Sequence, residues 1–225
     1  MNNIKSASFE EIYKSYLGHM VANEVDEIIG ASFELTNPLD NIVTNDVRKF
    51  SVEGTESMFQ WILAGESDIS KLHGKKSHAE EYDTDLEGRN TAYGPRVVKQ
   101  LDYVLRELTR NPATRRAVCM ILESDDQTVA DALYEGSTKC EYPCMMGVSF
   151  MIRDGKLHAY NILRSNNFVL TVCIDVYLVT RMQQEVAKFL DIPLGSYYHT
   201  AISAHILPKD AAIARKIYNS YYEEV

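Results

Sequence analysis

Residues 143 to 167 read PCMMGVSFMIRDGKLHAYNILRSNN, and this stretch decides the fold class. The runs 147–152 and 156–163 within it are rich in the apolar and β-branched residues that form strands. Asp154-Gly155 between them is a strong signal for a tight hairpin turn, because both central positions of such a turn need positive φ. The stretch therefore predicts two neighbouring strands, with Cys144 at the start of the first and Arg164 at the end of the second.

Helices are predicted on both sides of this hairpin. Apolar residues that recur at a spacing of three and four are typical of a helix with one buried face. Ser8 followed by Glu11 is a capping box, which predicts where the first helix begins. The predicted helices are 8–20, 56–63, 97–108 and 177–190.

Further strands are predicted at 27–33, 117–122 and 168–174 from their apolar and β-branched content. Residues 66–94 are polar and follow no sustained period, which predicts a long loop, and long loops in compact domains are often functional. Helices and strands alternate without an internal repeat. The sequence therefore predicts one α+β domain over residues 1–225.

The composition limits the classes of partner. A net charge of -9 argues against a general nucleic-acid surface, which needs excess Lys and Arg. No apolar run reaches the roughly 18 residues of a membrane span, and the N-terminus lacks a signal peptide, so we expect a cytoplasmic protein that binds no membrane. The four cysteines are too few for a disulfide framework, and no second ligand pair completes a metal site beside Cys140 and Cys144.

Two features can be interpreted in two ways from the residues alone. Cys144 is either a small buried apolar residue, as most free cysteines are, or a nucleophile at the end of a strand. Arg115 and Arg116 lie at a predicted helix-to-strand turn, where they are either a solvated pair or ligands of a phosphate.

An ordered set of short motifs resembles the thymidylate synthase family and its sister enzyme, the phage deoxycytidylate hydroxymethylase. The likeness runs from about residue 27 to His205, and the stretch Glu27 to Phe33 is especially similar to the hydroxymethylase. The motifs are Tyr93-Gly94, Asn111-Pro112 with Arg115-Arg116, Pro143-Cys144, Asp154-Gly155-Lys156-Leu157, Arg164-Ser165 and Trp61 to Gly65. The resemblance implies a thymidylate synthase-like mixed sheet flanked by helices.

The resemblance also implies a reaction. Cys144 would add to C6 of a pyrimidine nucleoside monophosphate, and C5 would then attack the one-carbon unit of 5,10-methylenetetrahydrofolate. Arg164 and Ser165 would bind the phosphate, together with Arg115 and Arg116 from the other subunit of a homodimer formed through a sheet face. Those positive charges would favour the thiolate of Cys144.

The family position that reads the pyrimidine edge falls on Asp175. Thymidylate synthases carry Asn at this position and the deoxycytidylate hydroxymethylase carries Asp. A carboxyl group can accept from the 4-amino group of cytosine and, when protonated, donate to N3. The other interpretation is that Asp175 caps a helix that begins at Val176.

The resemblance therefore favours C5 hydroxymethylation of CMP or dCMP, in which water completes the reaction. The alternatives are a short thymidylate synthase acting on dUMP, and a family member that binds a nucleotide without turning it over. Further substrate-binding positions of the family fall on Tyr93, Asn167 and His205.

Several positions depart from the family pattern. Met58 stands where the family has its general-base Glu, and we expect the nearest carboxylate, Glu56, to replace it. Asn167 replaces an Asp that helps to handle the folate. Thr200 and Ile202 replace the His and Tyr that bind the sugar, which leaves ribose and deoxyribose equally open. The sequence also ends at Val225 without the family's long tail, so we expect the folate to be held differently.

Overall fold

The structure, a computed structural model, describes residues 4–72, 91–136 and 142–222. These residues contain six strands and six α-helices. The strands are β1 (Ile4–Ser6), β2 (Glu27–Leu35), β3 (Val118–Met120), β4 (Met145–Arg153), β5 (Lys156–Asn167) and β6 (Leu194–His205). The helices are α1 (Phe9–Ala22), α2 (Val52–Leu63), α3 (Tyr93–Arg110), α4 (Gln127–Tyr134), α5 (Thr171–Leu190) and α6 (Ala211–Tyr222).

The strands form one mixed sheet in the order β1-β2-β6-β5-β4-β3. β1 pairs with β2 and β5 with β6 in parallel, and the other neighbours are antiparallel. The predicted hairpin is confirmed: Arg153 pairs with Lys156, and Asp154 and Gly155 have φ values of 51° and 70°. These left-handed conformations are the ones that a two-residue turn between twisted strands requires.

Helix α5 connects the parallel strands β5 and β6 and packs on one face of the sheet. Alternate strand residues point to this face and are buried, as the period of two in a strand requires. Helix α1 covers the β2 side with an aromatic cluster. Its fully buried members are Phe9, Tyr13, Tyr16, Phe168 and Tyr197. Each such side chain contributes about 1.5 to 3 kcal/mol by leaving water.

The opposite face of the sheet carries partly exposed apolar side chains. Met120, Ile162 and Ile202 are 48%, 39% and 49% exposed. The register places them on one face, because Met120 lies opposite Gly147, Gly147 opposite Ile162, and Ile162 opposite Thr200. Apolar exposure of this kind on a sheet face is typical of a surface that meets another protein surface.

The strand predicted at 168–174 is wrong. Residues 168–170 form a turn, and α5 begins at Thr171. Val169, Val172 and Ile174 favoured a strand by their side chains, but burial against the sheet overrides such local preference. The helix predicted at 177–190 is confirmed, but it begins earlier, at Thr171.

Other predicted element boundaries also differ from the observed ones. Ser8 lies at the N-cap of α1, but its side chain makes no capping hydrogen bond, so the predicted capping box is wrong. β3 is shorter than the strand predicted at 117–122, and α3 begins at Tyr93 within the predicted loop. Residues 73–90 of that loop lie outside the described part. Strand β6 was not predicted. No helix among the described residues is long and apolar enough to cross a bilayer.

Candidate active site

Cys144 lies immediately before β4, and Arg164 of β5 holds its loop in place. The backbone N–H of Arg164 donates to the carbonyl of Cys144 at 2.8 Å. The Arg164 side chain then folds back over the loop, where Nε donates to the Pro143 carbonyl at 2.9 Å and Nη2 to the Tyr142 carbonyl at 2.7 Å. Nη2 also lies 3.8 Å from the Cys144 sulfur. A fixed positive charge at this distance stabilises a thiolate.

The environment of Cys144 differs from that of the other described cysteines. Cys119 and Cys173 are buried, and burial raises the pKa of these thiols to about 12 and about 11. Both therefore remain neutral thiols near pH 7. Cys144 is only half-buried and lies beside a guanidinium. Cys140 lies outside the described residues. Among the described cysteines, Cys144 is thus the one with the surroundings of a nucleophile.

Asp175 lies in the second turn of α5, buried against β5. Its Oδ2 accepts a hydrogen bond of 2.7 Å from Nδ2 of Asn166. Asn166 follows Arg164 by two residues on β5, roughly 7 Å along the strand. Because the backbone of Arg164 bonds to that of Cys144, Asp175 and Cys144 are both attached to the same end of β5. The interpretation of Asp175 as a helix cap is wrong, since α5 begins at Thr171.

The sequence profile described as thymidylate synthase matches residues 32–219, which is most of the chain. The chain belongs to the thymidylate synthase family. A Methanosarcina barkeri protein with a provisional thymidylate synthase name is 33% identical over 143 residues, covering 58% of this chain and 62% of that protein. Thymidylate synthase 1 of Bacillus subtilis is 26% identical over 163 residues, covering 72% of this chain and 52% of that enzyme.

The fold agrees with this family. Thermostable thymidylate synthase A from Bacillus subtilis superposes with a TM-score of 0.73 over 94% of this chain and 84% of that one, at 18% identity. The predicted mixed sheet flanked by helices is therefore confirmed. The aligned part of this chain spans about half to three fifths of the length of the two relatives named above.

Met58, the residue predicted to stand at the family's general-base position, is buried on α2. Glu56 lies two residues earlier on α2, about half a turn away, and is bound to α5: its Oε2 accepts from Tyr177 Oη at 2.9 Å and from Arg181 Nε at 3.0 Å. Burial acts to raise the pKa of Glu56, but hydrogen bonds from Arg181, Gln60 and Tyr177 outweigh it and the pKa is lowered. Glu56 is thus an ionised partner of Arg181, and its role as the replacement base stays a prediction.

The predicted substrate-binding residues Tyr93, Ser165, Asn167 and His205 differ in their surroundings. The Tyr93 hydroxyl lies 3.5 Å from the Met145 N–H, directly beside Cys144. Ser165 and His205 are half-buried on β5 and β6.

Asn167 is buried and internally bonded. Its Oδ1 accepts from the N–H groups of Val169 and Leu170, and its Nδ2 donates to Asp210 at 2.6 Å. These bonds fix the turn that leads into α5. Substrate binding by Asn167 stays a prediction.

Arg115 and Arg116 are exposed between α3 and β3, away from Cys144. Val118 of β3 pairs with Ser149 of the antiparallel strand β4, and Cys144 lies at the other end of β4. Arg116, two residues before Val118, is level with Met151 of β4, and the seven positions from Met151 to Cys144 span roughly 23 Å. The arginine pair is therefore beyond the reach of the phosphate of a nucleotide bound at Cys144 of the same subunit.

Sequence reasoning did not assign roles to Asn166, His199, Tyr177 or Arg181. For Asn166 the strand pattern gave no signal, because the alternation of buried residues in β5 places position 166 on the side of the exposed Ile162. His199 lies on the buried side of β6, and that signal becomes visible only once β6 is recognised as a strand. Within the described residues, no three His, Cys, Asp or Glu side chains form a group that could hold a metal ion.

Proposed function

We propose that the protein transfers a one-carbon unit from 5,10-methylenetetrahydrofolate to C5 of a cytidine monophosphate, CMP or dCMP, and releases the 5-hydroxymethyl product. The observation that carries this proposal is the buried carboxyl group of Asp175, held by Asn166 on the strand that also positions Cys144. Family membership supports the reaction class, and the residue at this position supports the choice of base.

Cys144 begins the reaction by donating an electron pair from its thiolate to C6 of the ring, which makes C5 nucleophilic. Arg164 favours the thiolate and keeps the loop of Cys144 fixed. C5 would attack the methylene carbon of the folate. Loss of the C5 proton would then break the bond from that carbon to the folate nitrogen, so that tetrahydrofolate leaves and an exocyclic methylene remains on C5. The oxygen of water would bond to this methylene carbon and release a proton to solvent, while the electron pair of the exocyclic double bond restores the C5–C6 double bond and expels the sulfur of Cys144 from C6. No electrons are gained or lost by the protein.

Asp175 accounts for the choice of cytosine. Cytosine presents an acceptor at N3 and a donor at its 4-amino group, whereas uracil presents the reverse pair. A carboxyl group with one proton matches cytosine through both oxygens. With uracil one buried polar group would lose its partner, which costs about 1 to 3 kcal/mol.

We further propose that the active form is a homodimer joined through the exposed sheet face of Met120, Ile162 and Ile202. The distance of Arg115 and Arg116 from Cys144 in one subunit supports their action at the partner's phosphate site. An isologous interface would complete both sites at once.

Mixing two inactive variants tests this arrangement. Cys144→Ser lacks the nucleophile and Arg116→Gln lacks the crossing charge. After unfolding and refolding together, half of the dimers are mixed and have one intact site, so roughly one quarter of wild-type activity should return. No recovery, or full activity of a monomer at micromolar concentration, contradicts the proposal.

The second candidate function is methylation of dUMP, which the names of the relatives support. Product analysis separates the two. The protein is incubated with CMP, dCMP or dUMP and methylenetetrahydrofolate, and the products are weighed by mass spectrometry. A hydroxymethyl product from a cytosine nucleotide supports the proposal, and a methyl product from dUMP alone contradicts it. If no tritium is released from the 5-position of any of these nucleotides, the protein binds nucleotides without turning them over.

A further inference from the structure

A continuous line of buried polar side chains runs from Asp175 through the core to β5. Asn166 Nδ2 donates to Asp175 Oδ2 at 2.7 Å, and His199 Nε2 lies 3.1 Å from Asn166 Oδ1. The Tyr197 hydroxyl lies 2.7 Å from His199 Nδ1, and Asn161 Nδ2 donates to that hydroxyl at 3.2 Å. The five side chains are between 0% and 6% exposed. Polar groups are costly to bury, so such a line needs a reason.

The histidine in this line is neutral and fixed. Burial lowers the pKa of His199 to about 3, so the ring carries one N–H at neutral pH. The ring stacks on Phe33 with 4.6 Å between centroids and 8° between planes. Its two nitrogens therefore cannot exchange places, and only the position of the single proton remains to be decided.

That position follows from the orientation of Asn166, which faces Asp175 with Nδ2 and faces His199 with Oδ1. His199 then has to donate from Nε2, which leaves Nδ1 as an acceptor for the Tyr197 hydroxyl. The Tyr197 oxygen in turn accepts from Asn161. All bonds in the line thus have the same direction, toward Asp175.

We propose that Asn166, His199 and Tyr197 are positioning residues that set the base preference of the site by keeping Oδ2 of Asp175 an acceptor, so that a proton on this carboxyl group resides on Oδ1. This inference rests on the proposed function. A protonated oxygen accepts hydrogen bonds poorly, so the donor on Oδ2 favours the tautomer with the proton on the other oxygen. The carboxyl group then presents one defined donor to N3 of cytosine.

Tyr197→Phe tests the inference without touching Asp175 or the nucleotide. The variant keeps the aromatic ring and removes only the hydroxyl that donates to Nδ1. His199 is then free to carry its proton on Nδ1, and the Asn166 amide turns to present Oδ1 to Asp175. The preferred proton position moves to Oδ2, and the preference for cytosine falls.

Nucleotide affinities are measured in pairs with matched sugars, CMP against UMP and dCMP against dUMP. Losing one matched contact should lower the cytosine preference of Tyr197→Phe by roughly tenfold. Thr180→Val is the matched control, because it also removes one buried hydroxyl. Thr180 belongs to α5, and its hydroxyl accepts a hydrogen bond of 2.7 Å from Asn41, outside the line. This control should lose stability and keep the preference.

The outcomes separate the two proposals. A wild type without cytosine preference overturns the proposed function and this inference with it. A wild type whose preference falls in Asp175→Asn but not in Tyr197→Phe overturns the inference alone. Nitrogen-15 NMR of the wild-type protein gives an independent result: His199 should carry its proton on Nε2, and a proton on Nδ1 would overturn the proposed direction of the line.

Discussion

Replacing Arg164 with Gln should slow the alkylation of Cys144 by iodoacetamide. Only the thiolate reacts with this reagent, and the guanidinium nitrogen 3.8 Å from the sulfur favours the thiolate. Two unit charges at this distance attract by about 1 kcal/mol in water and about 4 kcal/mol at an effective dielectric constant of ~20. Both side chains are half-buried, and solvent screening therefore favours the lower end, about 1 to 2 kcal/mol.

This free energy corresponds to a roughly five- to thirtyfold smaller thiolate fraction, and to an equal fall in rate at a pH where the thiol form dominates. The assay is a pH profile of the alkylation rate, read by mass spectrometry on the peptide that contains Cys144. Cys119 and Cys173 do not interfere, because burial holds both as thiols. Arg153→Gln is the matched control, since Arg153 lies at the far end of the same hairpin.

A competing effect has the opposite sign. Arg164 also holds the carbonyls of Tyr142 and Pro143, and a loosened loop would expose the sulfur. Exposure raises the plateau rate at high pH, whereas loss of charge moves the midpoint of the profile to higher pH. An unchanged midpoint in Arg164→Gln would refute the electrostatic role of Arg164, whatever happens to the plateau.

Three further substitutions have defined expectations. Cys144→Ser should abolish turnover and C5 proton exchange while nucleotide affinity stays near normal, because a hydroxyl is a much weaker nucleophile; isothermal titration and tritium release check both parts. Asp175→Asn should shift affinity from cytosine toward uracil nucleotides by about tenfold to hundredfold, and an unchanged ratio would mean that Asp175 does not read the base. Arg96→Met should lower the free energy of unfolding by about 3 to 5 kcal/mol, because the buried Asp126 carboxylate loses the hydrogen bonds of 2.6 and 2.7 Å that Arg96 donates to it. Calorimetry should show a Tm lower by roughly 6 to 20 °C.

The parts of the fold that local patterns determine were predictable. The Asp154-Gly155 turn and the helical stripe of α3 depend on neighbouring residues, and both were found where the sequence placed them. The stretch 168–174 was not predictable in this way. Its side chains suit a strand. In the folded sheet, however, β5 has β4 and β6 as its two neighbours, and the chain forms a helix from Thr171 onward.

In the candidate site too, the contacts set by neighbouring strands of one hairpin were predictable, and the contacts between distant parts of the chain were not. The pairing of Cys144 with Arg164 followed from the hairpin, because an antiparallel register fixes which residues face each other. The salt bridge between Glu56 and Arg181 could not be predicted, because those residues are far apart in sequence and meet only when α2 packs on α5. The bond between Asn166 and His199 likewise depends on β6, a strand that the local pattern did not reveal.

The position of β6 in the sheet has a consequence for synthesis of the chain. β2 is made early, but one of its two partners in the sheet is β6, whose last residue is His205. At usual translation rates of ~5–20 residues per second, roughly ten to thirty seconds pass between the two strands. During that time β2 presents a free edge able to pair with other chains, and β5 presents another in the last part of the interval, once it has been made. A ribosome that stalls before β6 would therefore leave a nascent chain prone to aggregation, and slow codons in this interval would lower the yield of folded protein.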